Sequence, residues 1–231
     1  MIEYKAPPSH YGERGWGRWL REKLGIELPT SSLPSESVGS LVLPASNQPD
    51  AQHTYGGKVA GALVEDVRIT THDQALLFGV QVTTDSFRKL PAQEQRYIIR
   101  FHGNGVRLSD SIDLCIEAAL EYGQGVVGFN YRGVTQGSPK ARRYQDLVED
   151  GLAQVYRLLA SGTRAEHLTL DGYSLGGAVA SLVGAHCHEH GLKVRVFNDR
   201  SFMENHNSVA LLDCTHSMRN HNAGSSFHRS I

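Results

Sequence analysis

Residues 167–182 read His167-Leu-Thr-Leu-Asp-Gly-Tyr-Ser-Leu-Gly-Gly-Ala-Val-Ala-Ser-Leu182, and this stretch decides the fold. Its first part alternates apolar and polar residues, which predicts a strand. Its last part is a run of small and apolar residues, which predicts a buried helix. Between them, Gly172-Tyr-Ser-Leu-Gly176 predicts a sharp turn that exposes Ser174 at the N-terminus of the helix, where backbone N–H groups favour negative charge.

The glycines of this turn have a steric role. In a tight strand-to-helix turn, side chains at Gly172 and Gly176 would collide with neighbouring backbone. The same turn brings the serine hydroxyl out of the sheet, where a substrate can reach it. Ser174 is therefore predicted to be a catalytic nucleophile, and the alternative is a serine that only caps the helix.

Hydrophobic patterns on both sides of the turn alternate between strand and helix. The first two strands are predicted to form an antiparallel hairpin. Crossovers between the later strands are long enough for right-handed βαβ units, so we expect an α/β fold with a mostly parallel sheet and helices on both faces. The predicted elements are the strands Leu63–Ile69, Leu76–Val82, Tyr97–Phe101, Gly125–Phe129, Leu168–Asp171 and Leu192–Phe197, and the helices Asp110–Tyr122 and Tyr144–Leu159.

The chain divides into a core and two ends. With 231 residues and 40% hydrophobic content, it can bury one substantial core, which we expect over residues 60–202. Residues 1–59 are predicted to be an N-terminal extension and a Pro/Ser-rich linker, with a short helix at Gly17–Gly25. Residues 203–231 are polar and lack periodicity, which predicts a poorly ordered tail.

Composition narrows the possible partners and the compartment. A formal net charge of −1 gives no reason to expect nucleic acid. Three cysteines (Cys115, Cys187 and Cys214) are too few and too unevenly spaced for a disulfide framework, which favours a reducing compartment such as the cytoplasm. No apolar run approaches the ~20 residues that cross a bilayer. No cleaved signal is apparent, although export by another route would leave no mark in this sequence.

These motifs resemble the α/β-hydrolase superfamily over residues 60–202. Tyr97–Gly105 resembles its oxyanion-hole strand and loop, and Asn130-Tyr-Arg-Gly133 with Gly137-Ser138 resembles the segment after the next strand. Val194–Phe202 resembles a subgroup of hydrolase-like proteins from intracellular bacteria. The resemblance implies a serine hydrolase that acts on a small-molecule or acyl substrate without a cofactor.

Acyl transfer at such a turn needs donors for the oxyanion of the tetrahedral intermediate. One donor is expected to be the backbone N–H of Leu175, the residue after the nucleophile. The resemblance implies that the second comes from Asn104 or Gly105, in the loop after the Tyr97–Phe101 strand. An ordinary Gly/Asn-rich turn is the alternative explanation for this loop.

The other members of a catalytic triad are less clearly marked. The resemblance implies an acid and then a histidine after the serine. Asp199, just past the predicted strand Leu192–Phe197, is the preferred acid. The alternative is Asp213, at the end of a possible further strand Val209–Asp213, but only nine residues (200–208) separate that strand from Asp199, and a parallel crossover usually needs about a dozen or more. The candidate bases lie in the polar tail, and a solvated histidine is the competing interpretation of each of them: His206, His216, His221 and His228.

Histidines also lie beside the loop after the Tyr97–Phe101 strand and in the helix after Ser174. His102, beside the oxyanion loop, is expected to be structural. In the run His186-x-His188-x-His190, only His186 and His190 share a helix face, and with no third ligand nearby we predict no metal site.

The core pattern stops earlier than that of a full superfamily member. We therefore expect a truncated member or one whose last strands are replaced, with no histidine held at Ser174 Oγ. The leading function is hydrolysis of an ester, thioester or amide through an acyl-enzyme on Ser174. The competing function is a catalytically impaired relative that acts as a binding or interaction module.

Overall fold

Eight strands form one mixed sheet in the described part of the chain. A computed structural model of the protein describes residues 1–6, 49–50 and 54–199. The strands are β1 (Ile2–Lys5), β2 (Gly57–Val59), β3 (Ala62–Thr70), β4 (Leu76–Thr84), β5 (Tyr97–Phe101), β6 (Gly125–Phe129), β7 (Leu168–Tyr173) and β8 (Arg195–Asp199). Their order across the sheet is β1-β3-β4-β6-β5-β7-β8, with β2 paired to β3.

The predicted hairpin is confirmed. β3 and β4 pair antiparallel along their whole length, from Ala62 opposite Thr84 to Thr70 opposite Leu76. β1 pairs parallel with β3 at the sheet edge, with Ile2 opposite Val67. Two short strands from the segment predicted as an N-terminal extension and linker, β1 and β2, therefore join the sheet. The division of the chain into 1–59, 60–202 and 203–231 stays a prediction.

The helices cover both faces of the sheet. They are α1 (Asp85–Arg88), α2 (Ile112–Tyr122), α3 (Tyr144–Ala160) and α4 (Leu175–Glu189). All five residues of β6 are buried, and alternate side chains enter different clusters. Val126 packs in the cluster that contains α2 residues, whereas Val127 and Phe129 pack in the cluster that contains α3 and α4 residues. Burial on both faces explains why this strand is apolar throughout.

The parallel half of the sheet contains a change of direction. β5 pairs parallel with β6 on one side and with β7 on the other, and β7 pairs parallel with β8. The chain passes from β5 to β6 through α2 and returns past β5 to β7 through α3. Such a switch point opens a crevice at the carboxyl ends of the strands, where open α/β sheets bind ligands. Here the crevice lies at the ends of β5 and β7.

The last described strand differs from its prediction. The pattern predicted Leu192–Phe197, whereas β8 spans Arg195–Asp199. Leu192 belongs to the turn that caps the C-terminus of α4, because its N–H donates to Cys187 O (2.8 Å) after Gly191 has turned the chain at φ +74°. Pairing with β7 then continues to Tyr173 opposite Asp199. Asp199 is therefore the last residue of the strand and does not follow it.

Several predicted features lie outside the described residues: the helix Gly17–Gly25, most of the linker, the tail 203–231, Cys214, Asp213 and the four tail histidines. In the described part, Cys115 and Cys187 are buried free thiols. No helix among the described residues is both long enough and apolar enough to cross a bilayer.

Candidate active site

The turn after β7 holds Ser174 in a backbone conformation that side chains seldom adopt. Ser174 has φ +53° and ψ −119°, and α4 begins at the next residue. Outside the left-handed helical region, a non-glycine residue with positive φ is strained, and the surrounding structure must hold it there. The predicted sharp strand-to-helix turn is therefore confirmed, with Ser174 as its half-buried apex.

Two glycines permit this turn because backbone passes directly over them. A Cβ added to Gly172 would lie 2.6 Å from Gly177 Cα. A Cβ added to Gly176 would overlap Phe101 O and lie 2.7 Å from His102 O. Real Cβ atoms do not approach backbone this closely, so the predicted steric role of both glycines is confirmed.

Hydrogen bonds hold the apex from both sides. Ser174 N donates to Asp199 O (3.0 Å), and Ser174 O accepts the N–H of Gly177 (3.0 Å). Ser174 Oγ makes no hydrogen bond to any residue within 1–6, 49–50 and 54–199. The hydroxyl is thus presented by a fixed backbone, without a base among those residues.

The loop after β5 lies beside this turn, as predicted. Phe101 is opposite Gly172 in the β5–β7 ladder, so the following residues run alongside the serine. A Cβ added to Gly103 would lie 3.7 Å from Ser174 Cβ and 3.2 Å from the Tyr173 ring. Glycine at position 103 lets the loop backbone pass close to Ser174, the role that the sequence predicted for the glycines of the His102–Gly105 loop.

The two candidate donors of this loop occupy the exposed tip of a turn. Val106 N donates to Gly103 O (3.3 Å), which closes a β-turn with Asn104 and Gly105 at its centre. Gly105 has φ +82°, the conformation that a type II turn requires at its third residue. Leu175, the other predicted donor, is the first residue of α4, where N–H groups lack helical partners. Asn104, Gly105 and Leu175 stay predictions as oxyanion donors.

The backbone of Asp199, the preferred acid, lies beside the turn. Its carbonyl accepts the Ser174 N–H, and its side chain is exposed. Burial raises the pKa of the nearby Asp171, an effect that Arg100 opposes and the negative charge of Asp199 reinforces. Asp171 Oδ2 lies 3.4 Å from Arg100 Nε. Asp199 as the triad acid stays a prediction, because the candidate histidines lie outside the described residues.

His102 is buried under the start of α2. Its ring nitrogens lie 3.4 and 3.5 Å from Ser111 Oγ. Burial, reinforced by the positive charge of Arg100, lowers the pKa of His102 to about 4, so the ring is neutral at pH 7. These contacts fit the structural role that the sequence predicted for it.

The neutral ring of His102 should make stability depend on pH. Since the folded pKa (about 4) is below the unfolded value, the unfolded chain binds the proton first. Stability is therefore lost as the pH falls from about 6.5 towards 4, by up to roughly 1.4 kcal/mol per pH unit. Urea unfolding of wild type and His102→Gln at pH 7, 6 and 5 tests this expectation. The free energy of unfolding should fall less for the glutamine variant than for wild type between pH 7 and pH 5. An equal fall in the two proteins would contradict this expectation.

The histidines of α4 form a separate group. His186 and His190 share a face, as predicted, with ring centroids 4.1 Å apart. Tyr156 Oη lies 3.0 Å from His186 Nε2, and burial, with His190 second, lowers the pKa of His186 to about 4. His188 instead contacts Val194 O. The described residues contain no group of three or more His, Cys, Asp or Glu side chains placed to hold a metal ion.

Comparison with known proteins shows the fold. Brefeldin A esterase, a bacterial homologue of human hormone-sensitive lipase, matches with a TM-score of 0.53 and 16% identity over 76% of this chain and 51% of that one. EstE5 soaked with p-nitrophenyl butyrate also matches, with a TM-score of 0.47 and 20% identity over 80% of this chain and 56% of that one. An esterase/lipase from an uncultured bacterium matches with a TM-score of 0.45 and 20% identity over 77% of this chain and 53% of that one. The chain has the α/β-hydrolase fold, which confirms the fold implied by the resemblance.

The extent of these matches is limited. The chain spans about half the length of the solved structures that it matches, from 51% to 56% in these three. No protein-family model and no curated protein matches the sequence. The narrower resemblance of Val194–Phe202 to hydrolase-like proteins of intracellular bacteria stays a prediction.

Proposed function

We propose that this protein is a serine hydrolase that cleaves an ester, thioester or amide through an acyl-enzyme on Ser174. The observation that carries the proposal is the backbone of Ser174, held at φ +53° between two glycines that accept no side chain. Strain of this kind costs about 1–3 kcal/mol and persists where function needs it. A serine that only caps a helix adopts extended backbone without strain, so capping does not account for this turn. Brefeldin A esterase, the structural match with a TM-score of 0.53, supports the same reaction class.

In the proposed reaction, Ser174 Oγ attacks the carbonyl carbon of the substrate and its proton passes to a base. The negative charge then forms on the former carbonyl oxygen, beside the N-terminus of α4. The Leu175 N–H and one N–H from Asn104 or Gly105 would bind that oxygen, and loss of one such donor typically slows the reaction about 10²–10³-fold. Collapse of the intermediate expels the leaving group, and water later hydrolyses the acyl-enzyme.

The proposed reaction also needs a base, and every candidate for it lies outside the described residues. The candidates are His206, His216, His221 and His228, with Asp199, or Asp213 as the alternative, orienting the ring. An oriented base converts a weak hydroxyl nucleophile into a strong one. Without it, only the acceleration supplied by binding and by the oxyanion donors would remain.

The second candidate function is a binding module built on a hydrolase fold. One observation favours it: within residues 1–6, 49–50 and 54–199, nothing hydrogen-bonds Ser174 Oγ. A strained serine without a base could still form part of a ligand pocket. The two functions differ in whether the hydroxyl reacts, so one measurement separates them.

Labelling with a fluorophosphonate probe provides that measurement. We expect the wild-type protein to be labelled at Ser174 and Ser174→Ala to show no labelling, because the probe reacts only with an activated serine. Ser86→Ala is the matched control, since Ser86 is an exposed serine in the first turn of another helix, α1. It should be labelled like wild type.

The contrary results are equally specific. A folded wild-type protein that does not react supports the binding module. Labelling at a serine other than Ser174, located by peptide mass spectrometry, would overturn the assignment of the nucleophile. If labelling succeeds, hydrolysis of short-chain p-nitrophenyl esters then measures turnover.

A further inference from the structure

Asp50 contacts the segment after the oxyanion loop and the loop after β6, both distant from it in sequence. Its backbone forms an isolated parallel bridge to Thr135, in the loop after β6. Asp50 N donates to Val134 O (2.6 Å), and Gln136 N donates to Asp50 O (2.9 Å). These two bonds fix the backbone so that the carboxylate points inward, where the residue is only 4% exposed.

The buried carboxylate binds two N–H donors through a single oxygen. Asp50 Oδ2 accepts the backbone N–H of Ser109 (3.2 Å) and the side-chain amide of Asn130 (3.1 Å). Asn130 is itself 3% exposed, and its Oδ1 accepts the backbone N–H of Leu108 (2.7 Å). Its amide also donates to Thr135 Oγ1 (3.0 Å). The two side chains therefore hold two consecutive backbone N–H groups, those of Leu108 and Ser109.

Those N–H groups mark the far end of the oxyanion loop, residues 102–107. The near end of this loop leaves β5 and passes Ser174 at Gly103. The far end enters the short 3₁₀ helix Leu108–Asp110. Between the two ends, Asn104 and Gly105 are exposed at the tip of the turn that the Val106 N–Gly103 O hydrogen bond closes. Their position therefore depends on how firmly both ends of the loop are held.

We infer that Asp50, acting together with Asn130, is a positioning residue for the oxyanion loop. The inference rests on the proposed function, because it assigns these side chains to the geometry of the Ser174 reaction. A displacement of about 1 Å in a catalytic group can cost about 10²-fold in rate. The turn at the tip joins the core through the two ends of the loop, so release of one end opens it to such a displacement.

The test compares Asp50→Ala with Asp50→Asn. Alanine removes both hydrogen bonds and leaves the half-buried Ser109 N–H without its partner. Asparagine keeps one oxygen, which can accept from both Ser109 and Asn130 in the same place. We expect the rate of fluorophosphonate labelling of Ser174 to fall at least about 10-fold in the alanine variant. The asparagine variant should stay within about 3-fold of wild type, because loss of charge alone does not release the loop.

Asp146 supplies a matched control. It is 6% exposed, and one of its oxygens also accepts two backbone N–H groups, those of Arg142 (2.7 Å) and Arg143 (3.0 Å). Asp146→Ala should therefore lose comparable stability, but those groups precede α3 and do not belong to the oxyanion loop. Its labelling rate, measured well below its unfolding temperature, should stay close to that of wild type.

Amide hydrogen exchange gives a readout that does not need a reactive serine. Residues 103–109 should exchange faster in Asp50→Ala than in wild type, Asp50→Asn or Asp146→Ala. Unchanged exchange there would overturn the inference, and so would faster exchange with an unchanged labelling rate. If wild-type Ser174 does not react at all, the proposed function fails, and the exchange data alone decide whether Asp50 holds the loop.

Discussion

Gly176→Ala should leave the chain unable to form a stable native state, although alanine is the better helix former. Propensity favours alanine over glycine by about 1 kcal/mol in a helix. The added Cβ, however, would overlap Phe101 O and lie 2.7 Å from His102 O. Overpacking against flexible side chains costs about 1–3 kcal/mol, and here the obstacle is backbone of the central strand β5. The steric cost therefore exceeds the gain in propensity.

Thermal and urea unfolding measure this effect, with Gly57→Ala as the matched control. Gly57 lies in the exposed strand β2, and a Cβ there would meet nothing within 4 Å. We expect its variant to stay within about 0.5 kcal/mol of wild type. Gly172→Val should behave like Gly176→Ala, because its Cβ would lie 2.6 Å from Gly177 Cα. Equal stability of Gly176→Ala and Gly57→Ala would show that a Cβ fits at position 176 without a clash, contrary to the structure.

The second large effect is expected at a buried ion pair. Arg132 follows β6, and its backbone N–H and its Nε donate to the two oxygens of Asp150 in α3, both at 2.8 Å. Asp150 is fully buried and Arg132 is 4% exposed. Arg132 also pairs with Asp73 in the β3–β4 turn. One guanidinium thus joins the loop after β6, a helix and the hairpin.

Arg132→Met should destabilise the protein by about 3–5 kcal/mol, because it leaves a buried carboxylate without its countercharge. Burial raises the pKa of Asp150 to about 6, an effect that Arg132 opposes. Since this folded pKa is above the unfolded one, ionisation of Asp150 costs stability as the pH rises through about 6. Without Arg132 that cost grows, so the loss should be larger at pH 7.5 than at pH 5. Urea unfolding at both pH values measures it.

Two controls separate the buried charge from the loss of side-chain volume. Arg88→Met removes an exposed partner of Asp85 and should cost less than about 1 kcal/mol. The double variant Arg132→Met/Asp150→Leu leaves no uncompensated buried charge, since Asp73, the other partner of Arg132, is exposed. It should therefore be more stable than Arg132→Met alone. A double variant that is less stable than the single one would indicate that packing, and not charge, dominates this site.

Much of the fold followed from local sequence patterns. The turn at Ser174 was predictable because its requirements are local: a glycine two residues to either side, an alternating strand before it and a helix of small residues after it. The hairpin and β5 were predictable for a similar reason, since alternation of apolar residues reports which face of a strand is buried. The boundary of β8 was wrong because an apolar pattern does not distinguish the end of a helix from the start of a strand.

The features that hold the site in place depend on contacts that no local pattern records. Asp50 and Asn130 are 80 residues apart in sequence, and Arg132 and Asp73 are 59 apart. Nothing near Asp50 in the sequence indicates a buried carboxylate, because burial is created by the loops that fold over it. Likewise, Gly103 lies against Ser174 only because β5 and β7 are neighbours in the sheet. The sequence alone thus determined the strand-to-helix turn at Ser174, while the order of the strands decided which distant side chains support it.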